Sequence, residues 1–178
     1  LEPTKIRHLA LKNRMVKPAQ WLVYAEADGS VGDKAIAFYE TIARGGVGLV
    51  TVEESICEFP QGASAMPHIR LDDDKFIPGL TQLAQAIHSH DARAIVQITH
   101  AGPAHNPLVG GDAVAPSRLE PPAEPVFAVA HELTKDEILA LVEKFAQAAH
   151  RVKKAGFDCV ELHMAHYALG NAFLSRVQ

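Results

Sequence analysis

The sequence is poor in cysteine. Its 178 residues include only Cys57 and Cys159, and no C-x-x-C spacing occurs. Two cysteines beside apolar segments provide neither a disulfide framework nor the ligands of an iron–sulfur cluster or a structural zinc ion. A reducing, cytoplasmic environment is the corresponding expectation.

Long apolar runs and an excess of one charge are also absent. No run reaches the roughly 18 apolar residues that a membrane helix needs, and the first residues show no signal-peptide pattern. The net charge is −4, which argues against a binder of nucleic acid or another polyanion. We therefore expect a small-molecule substrate, with neither a membrane nor a nucleic acid as partner.

The chain does contain a regular alternation of strand and helix patterns. Apolar, β-branched segments predict strands at residues 15–19, 47–52, 94–99 and 157–162. Amphipathic periodicity predicts helices at residues 33–44, 74–90 and 134–154. The last helix opens with a capping box, Thr134 to Glu137. A proline-rich loop over residues 101–133 precedes it, and a loop of that length is usually functional.

Helices between successive strands imply a parallel sheet with the helices outside. A closed eight-stranded barrel takes about 250 residues, and only four strands are predicted. The fold class is therefore α/β, the amino-terminal half of a TIM (β/α)8 barrel, as one domain over residues 1–178. The strands at residues 13–20 and 157–162 would have unpaired edges. We therefore expect a homo-oligomer or completion by the missing half of the barrel.

The most informative segment covers residues 156–175. It predicts a buried strand that releases His163 and His166 at its carboxyl end, where barrels of parallel strands place their chemistry. Two imidazoles three residues apart can both donate hydrogen bonds to one oxygen. A single histidine there would more often be a packing residue, but the pair favours a functional site.

Four segments in order carry a resemblance to a known family: residues 11–19, 39–50, 96–102 and 156–175. The second contains Arg-Gly-Gly-Val-Gly, the third ends in His-Ala-Gly, and the fourth holds the two histidines. Together they resemble the Old Yellow Enzyme family of flavin-dependent ene-reductases, in the branch that includes 2,4-dienoyl-CoA reductases. The resemblance covers the whole chain but only the amino-terminal half of the family's barrel.

This resemblance implies FMN, reduced by NAD(P)H, and hydride delivery to the β-carbon of an alkene conjugated to a carbonyl group. His163 and His166 would hold the carbonyl oxygen, and Tyr167 would be the third catalytic residue, as a proton donor. Residues implied to lie at the flavin are Pro18, Ala19, Gln20, Glu54 and Gln97. The nicotinamide preference stays open, and an iron–sulfur cluster would belong only to a downstream part of the protein.

Three positions depart from the family pattern. The tyrosine expected two residues after the second histidine is Ala168, with Tyr167 one position earlier. A small residue expected beside the flavin is Glu54, and the threonine or cysteine that tunes the flavin is replaced by Trp21. These departures affect the expected alkene reduction more than the expected flavin binding.

Two alternatives follow from the same residues. A metal-dependent barrel hydrolase would use His163, His166 and His100 as ligands, with Glu54 as base. A non-catalytic half-barrel would lack the phosphate site that such barrels form after their last strands. His100 is expected to border the site or to be held by Gly102. The remaining histidines considered are expected at the surface: His88, His90, His105 and His150.

Overall fold

The computed structural model of the protein describes residues 1–118 and 129–176. The strands are β1 (Thr4–Ile6), β2 (Leu9–Leu11), β3 (Val16–Lys17), β4 (Leu49–Ile56), β5 (Ile69–Arg70), β6 (Arg93–Thr99), β7 (Val114–Ala115), β8 (His131–Glu132) and β9 (Cys159–Leu162). The helices are α1 (Asp33–Arg44), α2 (Ile77–His88), α3 (Lys135–Lys154) and α4 (Leu169–Leu174). Short 3-10 helices are Asp74–Phe76, Gly102–Ala104 and Pro107–Val109.

The main sheet is parallel and has the strand order β3-β4-β6-β9, with β5 paired to the carboxyl end of β4. This confirms the predicted α/β class, although the boundaries differ. The strand predicted at 47–52 continues through Ile56, and β3 and β9 are shorter than predicted. Both lie at the ends of the strand order, so the predicted edges are present.

The helices form where local signals specify them. Asp33 lies in the first turn of α1 and Arg44 in its last, which suits the helix dipole. The chain leaves α1 through Gly46 at φ +101°, a conformation that glycine adopts without a Cβ clash. Thr134 and Glu137 form the predicted capping box, with Thr134 accepting from the backbone of Glu137.

The three long helices pack beside one another against the sheet. Their apolar stripes and the alternating residues of β4 and β6 share one core, because crossover helices must cover the sheet face that they span. Prominent members of this core are Tyr39, Val50, Val52, Leu80, Leu83, Ile87, Val96, Ile98 and Val152. A smaller cluster, in which Leu11 meets Leu49 and Ile95, places the β1–β2 hairpin at the amino ends of the strands.

The predicted loop over residues 101–133 contains structure of its own. It carries two of the 3-10 helices and the parallel pair β7–β8, while residues 119–128 lie outside the described residues. The β1–β2 hairpin and β5 were not predicted. Within the described ranges, no helix has the length and apolarity that a membrane span requires.

Candidate active site at the carboxyl ends of the strands

The candidate catalytic residues meet where the parallel strands end. Glu54 lies near the carboxyl end of β4, Thr99 ends β6, and His163 follows β9. These elements are neighbours in the sheet, so their ends open onto a common face. A cavity of about 150 Å³ lies there. It is lined by Glu54, Gly62, Ser64, Thr99, Ala101, Ala104, His163, His166 and Ala168.

A β-bulge in β4 determines how its acidic residues point. Val52 pairs with Val96 and Ser55 pairs with Ile98, so two residues of β4 stand opposite the single residue Gln97. Such a bulge adds one residue to one strand and re-aims the side chains around it. The two residues in the bulge are Glu53 and Glu54.

Glu53 is directed into the protein and is 1% exposed. Its Oε2 accepts a hydrogen bond from the backbone N–H of Leu22 at 2.6 Å, which ties the segment after β3 to β4. Its own N–H donates to the hydroxyl of Tyr39 at 2.8 Å. Burial raises the pKa of Glu53, and among the described residues its Oε1 has no hydrogen-bond partner.

Glu54 is directed into the cavity instead. Its Oε2 lies 3.7 Å from Nε2 of His163, and its Oε1 lies 4.0 Å from Nδ1 of His68. Both separations exceed a hydrogen bond. The side chain retains 21% of its exposure. The carboxyl group of Glu54 therefore approaches two imidazoles without a hydrogen bond to either.

Burial also shifts the pKa values of these groups. It raises the pKa of Glu54, and the neighbouring His166 opposes part of this rise. Burial, followed by the charge of His166, lowers the pKa of His163. Both shifts favour the uncharged forms, and they therefore weaken any ion pair between Glu54 and His163.

The turn after β9 brings the two predicted histidines to one cavity. The N–H of His163 donates to the carbonyl of Ile98 at 3.0 Å, which continues the β6–β9 ladder. His166 and Tyr167 then adopt positive φ angles of 54° and 64°, an uncommon pair for residues with side chains. The ring centroids of His163 and His166 are 5.2 Å apart.

The loop that follows β6 packs against this turn and holds it in place. The N–H of Leu169 donates to the carbonyl of His100 at 2.9 Å. Gly102 has φ +59°, and a Cβ atom there would lie 2.7 Å from Cα of Leu169. The contact is therefore possible only for glycine, which gives the His-Ala-Gly motif a structural role.

His68 is a further residue of the site that the sequence analysis missed. Its ring stacks on Trp21, with centroids 4.9 Å apart, and its Nε2 lies 3.2 Å from the hydroxyl of Ser64. Burial lowers the pKa of His68 to about 4, so the ring is neutral near pH 7. No local signal in the sequence pointed to His68, because it reaches the site through the pairing of β5 with the end of β4.

The residues implied for FMN present suitable groups. The segment after β3 is accessible, with Pro18 and Gln20 exposed and Ala19 half-buried. Gln97 is half-buried, and its amide donates to Glu161 at 2.5 Å. Backbone groups and an amide are what the pyrimidine edge of a flavin can bond. These residues fit the cofactor, whereas Glu54 is turned toward the histidines.

Three other sequence predictions have mixed outcomes. Tyr167 is half-buried and does not line the cavity, and its N–H donates to Asn171 at 3.1 Å. His100 is buried and accepts from the N–H of Gly102 at 3.0 Å, as the structural alternative expected. His105, predicted at the surface, is fully buried, and its Nδ1 lies 2.8 Å from the carbonyl of Ala63. That prediction was wrong because the loop before β5 covers the ring.

The ligands expected for the metal-dependent hydrolase do not converge on one site in the described residues. Its third ligand, His100, is not a lining residue of the cavity, and its Nε2 lies 3.3 Å from Glu58. Among residues 1–118 and 129–176, no group of three or more side chains of metal-binding type converges. The two remaining histidines would form an incomplete ligand set.

Comparisons with known proteins give one consistent result. Residues 1–178 match the NADH:flavin oxidoreductase / NADH oxidase family. The chain is 41% identical over 173 residues to an NADH oxidase of Thermoanaerobacter brockii, covering 96% of this chain and 26% of that protein. It is 37% identical to an NADPH dehydrogenase of Listeria welshimeri, covering 97% of this chain and 50% of that protein.

The fold comparison agrees. Morphinone reductase in complex with tetrahydroNAD superposes with a TM-score of 0.89 at 28% identity, covering 98% of this chain and 51% of that one. The likeness confirms the predicted partial barrel and the resemblance to Old Yellow Enzyme proteins. It also confirms FMN with NAD(P)H as the cofactor and reductant of the family. The chain spans between about a quarter and a half of these relatives.

Proposed function

Because the chain belongs to the NADH:flavin oxidoreductase / NADH oxidase family, we propose that it forms part of an FMN-dependent oxidoreductase that uses NAD(P)H. Its reaction is reduction of the C=C bond of α,β-unsaturated carbonyl compounds. Residues 1–178 form the amino-terminal half of its barrel, as one domain. The free state of Cys57 and Cys159 supports a cytoplasmic location.

The observation that carries this proposal is the pair of histidines beside one cavity. His163 and His166 both line it, 5.2 Å apart between ring centroids. Two N–H groups directed at one carbonyl oxygen stabilise the negative charge that develops there when hydride adds to the β-carbon. The depressed pKa of His163 leaves it a neutral donor, so the oxygen is polarised by hydrogen bonding.

The cofactor would lie against the segment after β3 and Gln97. Bound there, FMN supplies the hydride. The residues of this chain bind the flavin edge, through the exposed backbone of residues 18–20 and the amide of Gln97. Glu53 anchors that backbone through Leu22, so a buried carboxyl group positions the segment.

The test uses the full-length protein with FMN. We expect the absorbance of oxidised flavin, its bleaching by NADH or NADPH, and recovery on adding a cyclic enone. His163→Ala should slow the recovery by about 10²–10³-fold, since it removes one donor to the developing charge, while bleaching by the nicotinamide is retained. A protein that stays colourless with FMN present, or whose reduced flavin no unsaturated carbonyl reoxidises, would contradict the proposal.

We also propose that this half-barrel is completed by a further barrel segment, with pairing to a second copy as the lesser alternative. Strand β9 lies at the end of the strand order, and Cys159 and Leu162 in it are exposed. Next to it, a mostly apolar groove between α3 and α4 is bordered by Val142, Met164 and Phe173. Such an edge and groove favour pairing with another strand and helix.

Residues 1–178 expressed alone test this arrangement. We expect self-association or aggregation in size-exclusion chromatography with light scattering. Adding a Lys at the edge, as Leu162→Lys, should reduce association, because edge lysines disfavour strand pairing. A monodisperse monomer with a cooperative thermal transition would refute the proposed completion.

A further inference from the structure

We propose that Glu54 is the acid that protonates the α-carbon of the substrate in this protein. This inference rests on the proposed alkene reduction and names the source of its second hydrogen. A small residue was expected at this position, and the side chain that replaces it enters the cavity. The proton-donor role that the sequence suggested for Tyr167, in the turn after β9, is thereby transferred to a residue of β4.

The position of Glu54 suits that role. An oxygen hydrogen-bonded to His163 would lie about 3 Å from its nitrogen, and the α-carbon of an unsaturated carbonyl compound is two bonds from that oxygen. Oε2 of Glu54 is itself 3.7 Å from Nε2 of His163. A substrate held by the histidine therefore presents its α-carbon to the carboxyl group at close range.

The other polar groups of the cavity are less suitable acids. His163 and His166 are used on the carbonyl oxygen in the proposed function. The hydroxyl of Ser64 is already engaged with His68 at 3.2 Å, and a hydroxyl such as that of Thr99 is a far weaker acid than a carboxyl group. Ala168 stands where a phenol was expected, and Tyr167 does not line the cavity.

The state of Glu54 also fits an acid. No hydrogen bond to its carboxyl group is found among the described residues, so the proton has no fixed acceptor. Burial raises the pKa of Glu54, and a catalytic acid works best when its pKa approaches the working pH. The 21% exposure of the side chain gives solvent a route to restore the proton.

The step balances in atoms and electrons. Hydride from the reduced flavin brings two electrons and one hydrogen to the β-carbon, and the π pair of the C=C bond moves toward the α-carbon and the carbonyl oxygen. The α-carbon then takes H⁺ from the carboxyl O–H of Glu54, which becomes a carboxylate. A solvent proton returns it to the acid, and the product is the saturated carbonyl compound.

The experiment compares Glu54→Gln with wild-type full-length protein carrying FMN, in separate half-reactions. Gln keeps the size but has no acidic proton, so reoxidation of the reduced flavin by a cyclic enone should slow by about 10²–10⁴-fold. Reduction of the flavin by NAD(P)H should remain within about twofold. Glu143→Gln, the same change on the exposed face of α3, should leave both half-reactions unaltered.

Infrared spectroscopy gives a readout that needs no turnover. At neutral pH the wild-type protein should show the C=O stretch of a protonated carboxyl group that shifts in ²H₂O, is lost in Glu54→Gln and is retained in Glu143→Gln. Absence of that difference, or equal reoxidation of wild type and Glu54→Gln, would overturn the inference alone. Wild-type protein that reduces no unsaturated carbonyl would overturn the proposed function and this inference with it.

Discussion

The two ends of the sheet use the same kinds of residue in opposite ways. At the amino ends of the strands, Asp158 accepts from the N–H of Ala94 at 2.9 Å and faces Nε2 of His88 at 2.7 Å and Nη1 of Arg93 at 3.2 Å. At the carboxyl ends, Glu54 lies 3.7 and 4.0 Å from two imidazoles. An acidic side chain is thus fully bonded at one end and unbonded at the other.

This difference separates stability from function within one sheet. A carboxylate with several hydrogen bonds contributes to folding and has little capacity left for a ligand. A carboxyl group without them contributes little to folding and remains available. In barrels of parallel strands the carboxyl-terminal face carries the chemistry, and the hydrogen-bond pattern of this protein follows that division.

The largest expected effect concerns His68 at the carboxyl-terminal end. Its pKa is lowered from 6.5 to about 4 in the folded protein, so the unfolded chain binds an additional proton in that range. The free energy of unfolding should therefore fall by about 3 kcal/mol as the pH drops from about 6.5 to about 4. His68→Phe keeps a ring on Trp21 and should flatten this dependence in urea titrations. If the free energy of unfolding depended on pH in the same way for variant and wild type, His68 would not be held neutral in the folded protein.

A smaller effect is expected at the amino-terminal end. Asp158→Ala removes the acceptor for one backbone N–H and leaves two cationic or polar partners unmatched. Since these partners are partly exposed, the free energy of unfolding should fall by about 2 kcal/mol. Flavin reoxidation by enone should be retained. Asp112→Ala, at an exposed aspartate, is the matched control, and a selective loss of activity in Asp158→Ala would end the proposed division.

The smallest effect on stability is expected for Glu54→Gln. No hydrogen bond is lost, so the change should be within about 0.5 kcal/mol at pH 4. The folded pKa of Glu54 is raised above 4.5, so the stability of its protonated form is lost as the pH rises beyond that value. As the pH increases, the stability of Glu54→Gln relative to wild type should therefore rise, which thermal unfolding would measure. If Glu54→Gln were less stable than wild type at neutral pH, the carboxyl group of Glu54 would have a hydrogen bond in the folded protein.

The parts of the fold that depend on neighbouring residues were predictable from the sequence. The capping box at Thr134 fixes the start of α3, and the glycines after Arg44 end α1, because these signals act within one helical turn. The histidines after β9 were placed correctly at its carboxyl end. The pairing of Gln97 with Glu161 was not predictable in this way, since it depends on the parallel register of β6 and β9.

The remaining features depend on contacts between distant segments. His105 is buried by a loop about forty residues earlier in the chain, which local hydrophobicity does not encode. His68 joins the site only because β5 pairs with the end of β4. The direction of the Glu54 side chain depends on a β-bulge that is recognised only from the register of β4 against β6. Two adjacent acidic residues in a sequence do not reveal which of them faces the interior.

The bulge in β4 allows the two glutamates to be substituted independently of each other. In a regular strand, neighbouring side chains point to opposite faces, and deleting either residue would reverse every later position of β4. Here the extra residue lets Glu53 hold the segment after β3 while Glu54 faces the cavity. A lineage can therefore exchange the residue at Glu54, and with it the chemistry of the cavity, without disturbing the anchor beside it. Variants with another residue at this position would keep the same scaffold and differ in the chemistry of the cavity.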